Sequence, residues 1–348
     1  MKYQLLSRFR SEIMGFAALM ILLFHFGACL YDSLRIPVVT AVLSHGNIGV
    51  DMFLFLSGIG LYCSMSRDSR PLPFYRRRVS RVLFPALAVS LPYWLATDFL
   101  FKKTGAGMFL LDWTTLSFWT HGNRTVWYVS LLLVLYLLYP VIFRLQEKHA
   151  GFAVLLMVLS YTAVLVQFFH AREVYDRYEI ASTRIPVFFA GSLAGGLLFE
   201  KQDKRLAKPV TGYAVLMMIP FVTAFVIGNT EPDAAMMLYR IGCGGAGILI
   251  SLLLARLLER FPNGHVQSGL KTLGGISLEL YLIHIFIKNL LSAMRIGQKS
   301  GAAVQLIVIL AAMALSVLLS LGMGRLFQRI RQRSAKPARP EKPCGNSE

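Results

Sequence analysis

The stretch FRSEIMGFAALMILLFHF, from Phe9 to Phe26, has a polar entry and then, from Ile13 onward, a single polar side chain, His25. Continued to about residue 31, it is long enough to cross the roughly 30 Å of hydrocarbon in a bilayer as one helix. It does not read as a cleaved signal peptide, because it has no small-residue cleavage site and a second apolar span follows at once. An ionisable group inside such a segment is expensive, and usually faces a partner or a water-filled cavity.

Composition assigns the whole chain to the same class. Its 348 residues are 55% hydrophobic and 16% charged, with a mean hydropathy of +0.57, outside the range of a water-soluble globular domain. Ten stretches read as membrane-spanning helices, near 12–31, 47–65, 80–100, 126–144, 151–169, 184–199, 210–229, 236–258, 273–293 and 302–324. The sixth is short and reads as broken by Gly191, Gly195 and Gly196. The segment 104–122 is aromatic and semi-polar, and reads as interfacial or re-entrant. The expected fold class is therefore all-α, a polytopic bundle of about ten transmembrane helices over 1–330, with a disordered, proline-rich tail over 331–348.

Charge placement orients the bundle. With both termini cytoplasmic, the inner segments hold 25 of the 36 Lys and Arg residues, as the positive-inside rule requires for a multi-pass protein of the cell membrane. The net charge of +18 is then largely topological, and its expected partner is the lipid bilayer rather than nucleic acid. Cys29, Cys63, Cys243 and Cys344 lack metal-binding spacing and imply no disulfide framework, and no metal site is expected. Oligomeric state is not legible.

Several polar positions are candidates for chemistry. His25 lies 13 residues after Glu12, roughly 20 Å along helix 1. His284 lies 13 residues after Lys271 on a helix of the same direction, which predicts a similar depth and one shared cavity. His25 is either a packing histidine or a general base able to take a proton near neutral pH, and His284 either a packed or interfacial histidine or a second group lining that cavity. Ser277, Glu279 and Tyr281 add hydrogen-bonding groups to the His284 helix. Arg76, Arg77, Arg78 and Arg81 form a cluster at the entry of helix 3 that topology explains for the most part. Arg78 and Arg81, however, share a helix face and suit a pyrophosphate. Asp51 opens helix 2 either as a dipole-favoured charge or as a group orienting His25 or an acceptor hydroxyl. Arg124, Trp127 and Tyr128 at helix 4, and Arg184 at helix 6, are interfacial anchors or substrate contacts. The aromatic residues Phe109, Trp113, Phe118, Trp119, Tyr175 and Tyr178 suit either sugar stacking or interfacial anchoring.

Taken in order, Phe24-His25, GNIGVDMFLFLSG, the Arg78, Arg81 and Pro85 elements, WYVSLLLVLYLLYP, RIPVFFAG and SLELYLIH resemble acyltransferase family 3, multi-pass membrane O-acyltransferases acting on carbohydrates and related acceptors. The resemblance covers nearly the whole chain. It implies transfer of an acyl group, commonly acetyl from cytoplasmic acetyl-CoA, to a hydroxyl of a carbohydrate or glycolipid at or beyond the membrane. His25 would be the essential histidine, with His284 as its companion, and Arg78, Arg81 and Arg77 the donor-side arginines. Asp51, Ser277, Tyr281, Trp127, Arg184 and Glu12 would orient or contact substrate. No permanently bound cofactor is implied. One departure is Met14, at a position where the family usually has an arginine, with Arg10 or the helix 3 cluster as the substitute. The rival readings are a transporter or flippase of a lipid-linked sugar or small solute, and an inactive interaction subunit.

Overall fold

The computed structural model describes residues 4–27, 37–149, 151–199, 207–294 and 301–334. Cys29, the end of the first expected span, the loop 200–206, and the tail beyond Ser334 with Cys344 lie outside the described residues. Among the described residues there are helices and no strand. Nine are long and apolar enough to span a membrane, or ten if a bent pair is counted as one span.

These spans are α1 (Arg10–Gly27), α2 (Ile48–Arg67), α3 (Pro71–Phe101), α4 (Trp127–Lys148), α5 (Phe152–His170), α6 (Ile185–Phe199), α7 (Pro209–Ile227), α8 (Pro232–Arg260), α9 (Ser277–Ala293) and α10 (Ala302–Ser334). α2 is the central helix and carries a buried row from Ile48 to Ile59. α5, α7 and α10 are peripheral and leave Phe169, Val226 and Leu318 more than 60% exposed. In water such a surface would aggregate, but against lipid tails it is satisfied. The chain is a multi-pass membrane protein.

Close backbone approach at glycine holds the centre together. A Cβ on Gly58 would meet the Phe188 carbonyl, and one on Gly191 would meet that of Phe55, so α2 and α6 touch through both glycines. The glycines expected to break α6 therefore leave it continuous and let it pack. A second contact joins α1 to the lead-in helix Gly264–Gly275, where a Cβ on Gly15 or Gly274 would strike the opposing carbonyl of Leu270 or Ser11. Gly191→Val should cost about 1–3 kcal/mol or more by overpacking, read as loss of the monodisperse peak in detergent gel filtration after mild heating. An unchanged profile would show that the α2–α6 contact is loose.

Three other expectations need correction. α3 starts at Pro71, well before residue 80, and contains two π-helical turns, Val79–Leu83 and Ala96–Phe101. Pro85 and Pro92, which have no N–H to donate, interrupt the regular ladder close to these turns. The ninth span bends by 72° between Gly264–Gly275 and Ser277–Ala293, so counting from Lys271 does not give the depth of His284. α10 extends to Ser334, past the boundary expected at 330. The 104–122 segment forms two short helices, Ala106–Trp113 and Ser117–His121, pinned to the bundle where Trp113 Nε1 donates to the Leu87 carbonyl at 2.9 Å.

Candidate active site

Two histidines 259 positions apart in sequence meet in the middle of the fold. His284 sits on the second turn of α9 and is buried. Its Nδ1 lies 2.7 Å from the Leu280 carbonyl one turn back, and its Nε2 lies 3.0 Å from His25 Nδ1. A carbonyl can only accept, so His284 Nδ1 carries a proton, and in the neutral ring Nε2 is then an acceptor. His25 Nδ1–H must therefore donate to it. This fixes the tautomer of His25 and puts the ring's lone pair on Nε2. The bend at Ile276 is what turns α9 toward α1, since the lead-in helix is already held at Gly15 and Gly274.

Cavities open on both sides of this level. One, of about 500 Å³, is lined by His25, Trp127, Arg124, Arg184, Arg240 and Lys288 among others. The other, of about 410 Å³, is lined by Arg10, Met14, Arg78, Arg81, Arg331 and Ser277 among others. Ile21, Val50 and Tyr281 line both, so the two cavities adjoin at these side chains. Tyr281 stacks edge-on against Tyr128 at 5.3 Å and lies 6.0 Å from the His284 ring. Arg10 and His25 sit at opposite ends of α1, roughly 22 Å apart by helix rise.

The arginines of this cavity come from three helices, α1, α3 and α10. Arg10 Nε donates to the Leu56 carbonyl at 3.3 Å across Gly60, where a Cβ would come within 3.0 Å of its guanidinium. Arg78 rests on the faces of Phe74 and Tyr136, 5.2 and 5.5 Å from their ring centres. Arg81 follows within the π turn Val79–Leu83. Arg331 enters from α10. Arg77 is diverted instead: it pairs with Asp68 at 3.4 Å and lines an adjoining cavity of about 430 Å³ that also contains Arg10, Arg78 and Arg81. Asp68, on the loop after α2, is held down to about 2 by its hydrogen bonds from Arg70 and Arg77.

Around the histidine cavity lies a buried ionic network. Arg184 Nε contacts Asp51 Oδ2 at 3.3 Å, with both side chains almost wholly enclosed. Its guanidinium lies 5.3 Å from the ring centre of Trp127 and its Nη1 donates to the Ile180 carbonyl at 2.8 Å. Glu179 Oε1 accepts from Arg124 Nη1 at 3.0 Å and forms an ion pair with Arg240 Nη2 at 3.2 Å.

The sequence candidates thus separate. His25 and His284 come together, Arg78 and Arg81 share the arginine cavity with Ser277, and Trp127 and Arg184 line the histidine cavity. Asp51 contacts Arg184 rather than His25. Glu12 lines neither of these two cavities. Nor do Phe109, Trp113, Phe118, Trp119 or Tyr178, which pack among themselves, or Tyr175, which packs on Phe168. Arg240, Lys288 and Arg331 were not singled out from sequence, although an arginine within the eighth apolar span was a readable signal.

A family model described as an acyltransferase domain, that of acyltransferase family 3, matches residues 15–321 of the chain. No curated protein matches it. No solved structure does either.

Proposed function

We propose, from the premise that this chain belongs to acyltransferase family 3, that it is a membrane O-acyltransferase moving acetyl from acetyl-CoA to a carbohydrate or glycolipid hydroxyl. The observation that carries this reading is that His25, with its tautomer set by His284, lines one of two cavities that adjoin at Ile21, Val50 and Tyr281. A reaction whose donor and acceptor arrive from opposite faces needs such an arrangement. By the positive-inside distribution the arginine cavity faces the cytoplasm, where acyl-CoA is available.

In this mechanism the CoA phosphates rest on Arg10, Arg78 and Arg81, and the pantetheine arm runs up beside α1 toward Tyr281. Arg10 takes the part that the family arginine would play at Met14. The acceptor hydroxyl enters the other cavity and gives its proton to His25 Nε2 as its oxygen bonds to the thioester carbonyl carbon. The tetrahedral adduct then expels the CoA sulfur as a thiolate, which recovers a proton from the imidazolium. His284 is a positioning residue: it holds the His25 ring and disperses the positive charge formed on it, as the third member of a nucleophile–base–orienter set does.

Arg10→Gln and Arg78→Gln should each raise the KM for acetyl-CoA roughly 10- to 100-fold with little change in kcat, as removal of one charge-assisted phosphate contact predicts. Steady-state kinetics in membranes at varied acetyl-CoA checks this. Unchanged donor dependence in both variants would mean that the cluster serves topology alone.

A further inference from the structure

The histidine cavity carries an excess of positive charge that the protein does not neutralise. Arg124, Arg184, Arg240 and Lys288 all line it. Two carboxylates compensate from behind the wall, Asp51 for Arg184 and Glu179 for the Arg124 and Arg240 pair, and neither lines the cavity. Among the described residues, Lys288 has no carboxylate within ion-pair distance, and Glu179 is shared between two guanidiniums. Arg240 Nε is buried without a hydrogen-bond partner. Four cations against two anions leave the cavity about two charges positive.

Topology does not account for this excess, because these cations lie at the end of the bundle away from the basic cluster, where the positive-inside rule disfavours them. The rest of the lining mixes apolar side chains such as Phe24, Ile180 and Ile285 with the uncharged polar residues Asn47, Asn289, Ser44 and Thr125 and the rings of Trp127 and Tyr239. Such a wall suits a sugar, and the added charge suits an anion attached to it.

We infer that the acceptor of this enzyme is anionic: a sugar carrying a phosphate or a carboxylate, held by Lys288 and Arg240 so that one of its hydroxyls reaches His25. This rests on the acyltransferase reading for the role of the hydroxyl, but the charge preference is a binding property and is tested without acyl-CoA. Lys288 is one turn beyond His284 on α9, so an anion bound there places the rest of the acceptor against the histidine pair.

The test is equilibrium binding to the full chain in nanodiscs, with glucose, glucose 1-phosphate, glucuronate and inorganic phosphate as probes. Glucose 1-phosphate or glucuronate should bind at least about tenfold more tightly than glucose at low salt. The advantage should shrink as ionic strength rises. Lys288→Gln should remove most of it and Lys288→Arg should restore it. The two charged sugars distinguish a phosphate-bearing from a carboxylate-bearing acceptor, and tight binding of inorganic phosphate alone would identify the phosphate as the recognised group. Binding of glucose as tight as that of both charged sugars, no binding of any anion, or an advantage untouched by Lys288→Gln would overturn the inference. Acetyl transfer to a neutral sugar without anion preference would refute the anionic acceptor and leave the acyltransferase standing. Anion preference in a protein that never transfers acetyl would do the reverse.

Discussion

Membranes carrying His25→Ala should release CoA from acetyl-CoA, in the presence of an envelope extract, about 10²- to 10⁴-fold more slowly than wild type, the range a positioned general base supplies. The protein should remain in the membrane at normal abundance, because His25 lines a cavity and its loss leaves room rather than a clash. His284→Ala should cost less than His25→Ala, since His284 does not line the cavity and acts through the 3.0 Å contact to His25. The double variant should be no worse than His25→Ala, because groups that act as a unit are not additive. Full multiplication of the two single effects would mean that the histidines work independently and that the shared hydrogen bond is incidental.

The second large effect is structural. Arg184 and Asp51 are 2% and 0% exposed and form an ion pair between the entry of α6 and α2. Removing one partner of a buried pair strands the other, at a cost on the order of 3–5 kcal/mol. Arg184→Met and Asp51→Leu should each therefore sharply lower the temperature at which the detergent-solubilised protein loses its gel-filtration peak. The Arg184→Met/Asp51→Leu double variant should recover much of that loss, because no uncompensated charge remains. A double variant as unstable as the sum of the singles would show that the two residues stabilise the fold through separate contacts, such as that of Arg184 with Trp127.

The spans were readable in the sequence because hydropathy is a property of the local chain, and most of the apolar runs became helices near their expected limits, α3 and α10 running about nine and ten residues further. His25 and His284 were readable for the same reason: a titratable group inside an apolar run is conspicuous. What the sequence hid were relations between distant residues. The Asp51–Arg184 contact joins residues 133 positions apart, and the sharing of Glu179 by Arg124 and Arg240 joins three elements. The 72° bend before Ser277 follows a pair of glycines that look no different from those inside α6, where the helix runs straight through. Whether a glycine breaks a helix or packs it depends on the neighbouring backbone, and local composition carries no record of that. Arg331 is a similar case: it belongs by composition to a polar tail, but the last helix carries it into the arginine cavity. Arg10, a turn earlier on α1, lines the same cavity as Met14.

The most direct test of the account is transfer of radiolabel from acetyl-CoA into total envelope carbohydrate and lipid by membranes containing wild type or His25→Ala. Label that enters a carbohydrate or glycolipid fraction with wild type and is absent with His25→Ala is the predicted result. Equal label in both would contradict it.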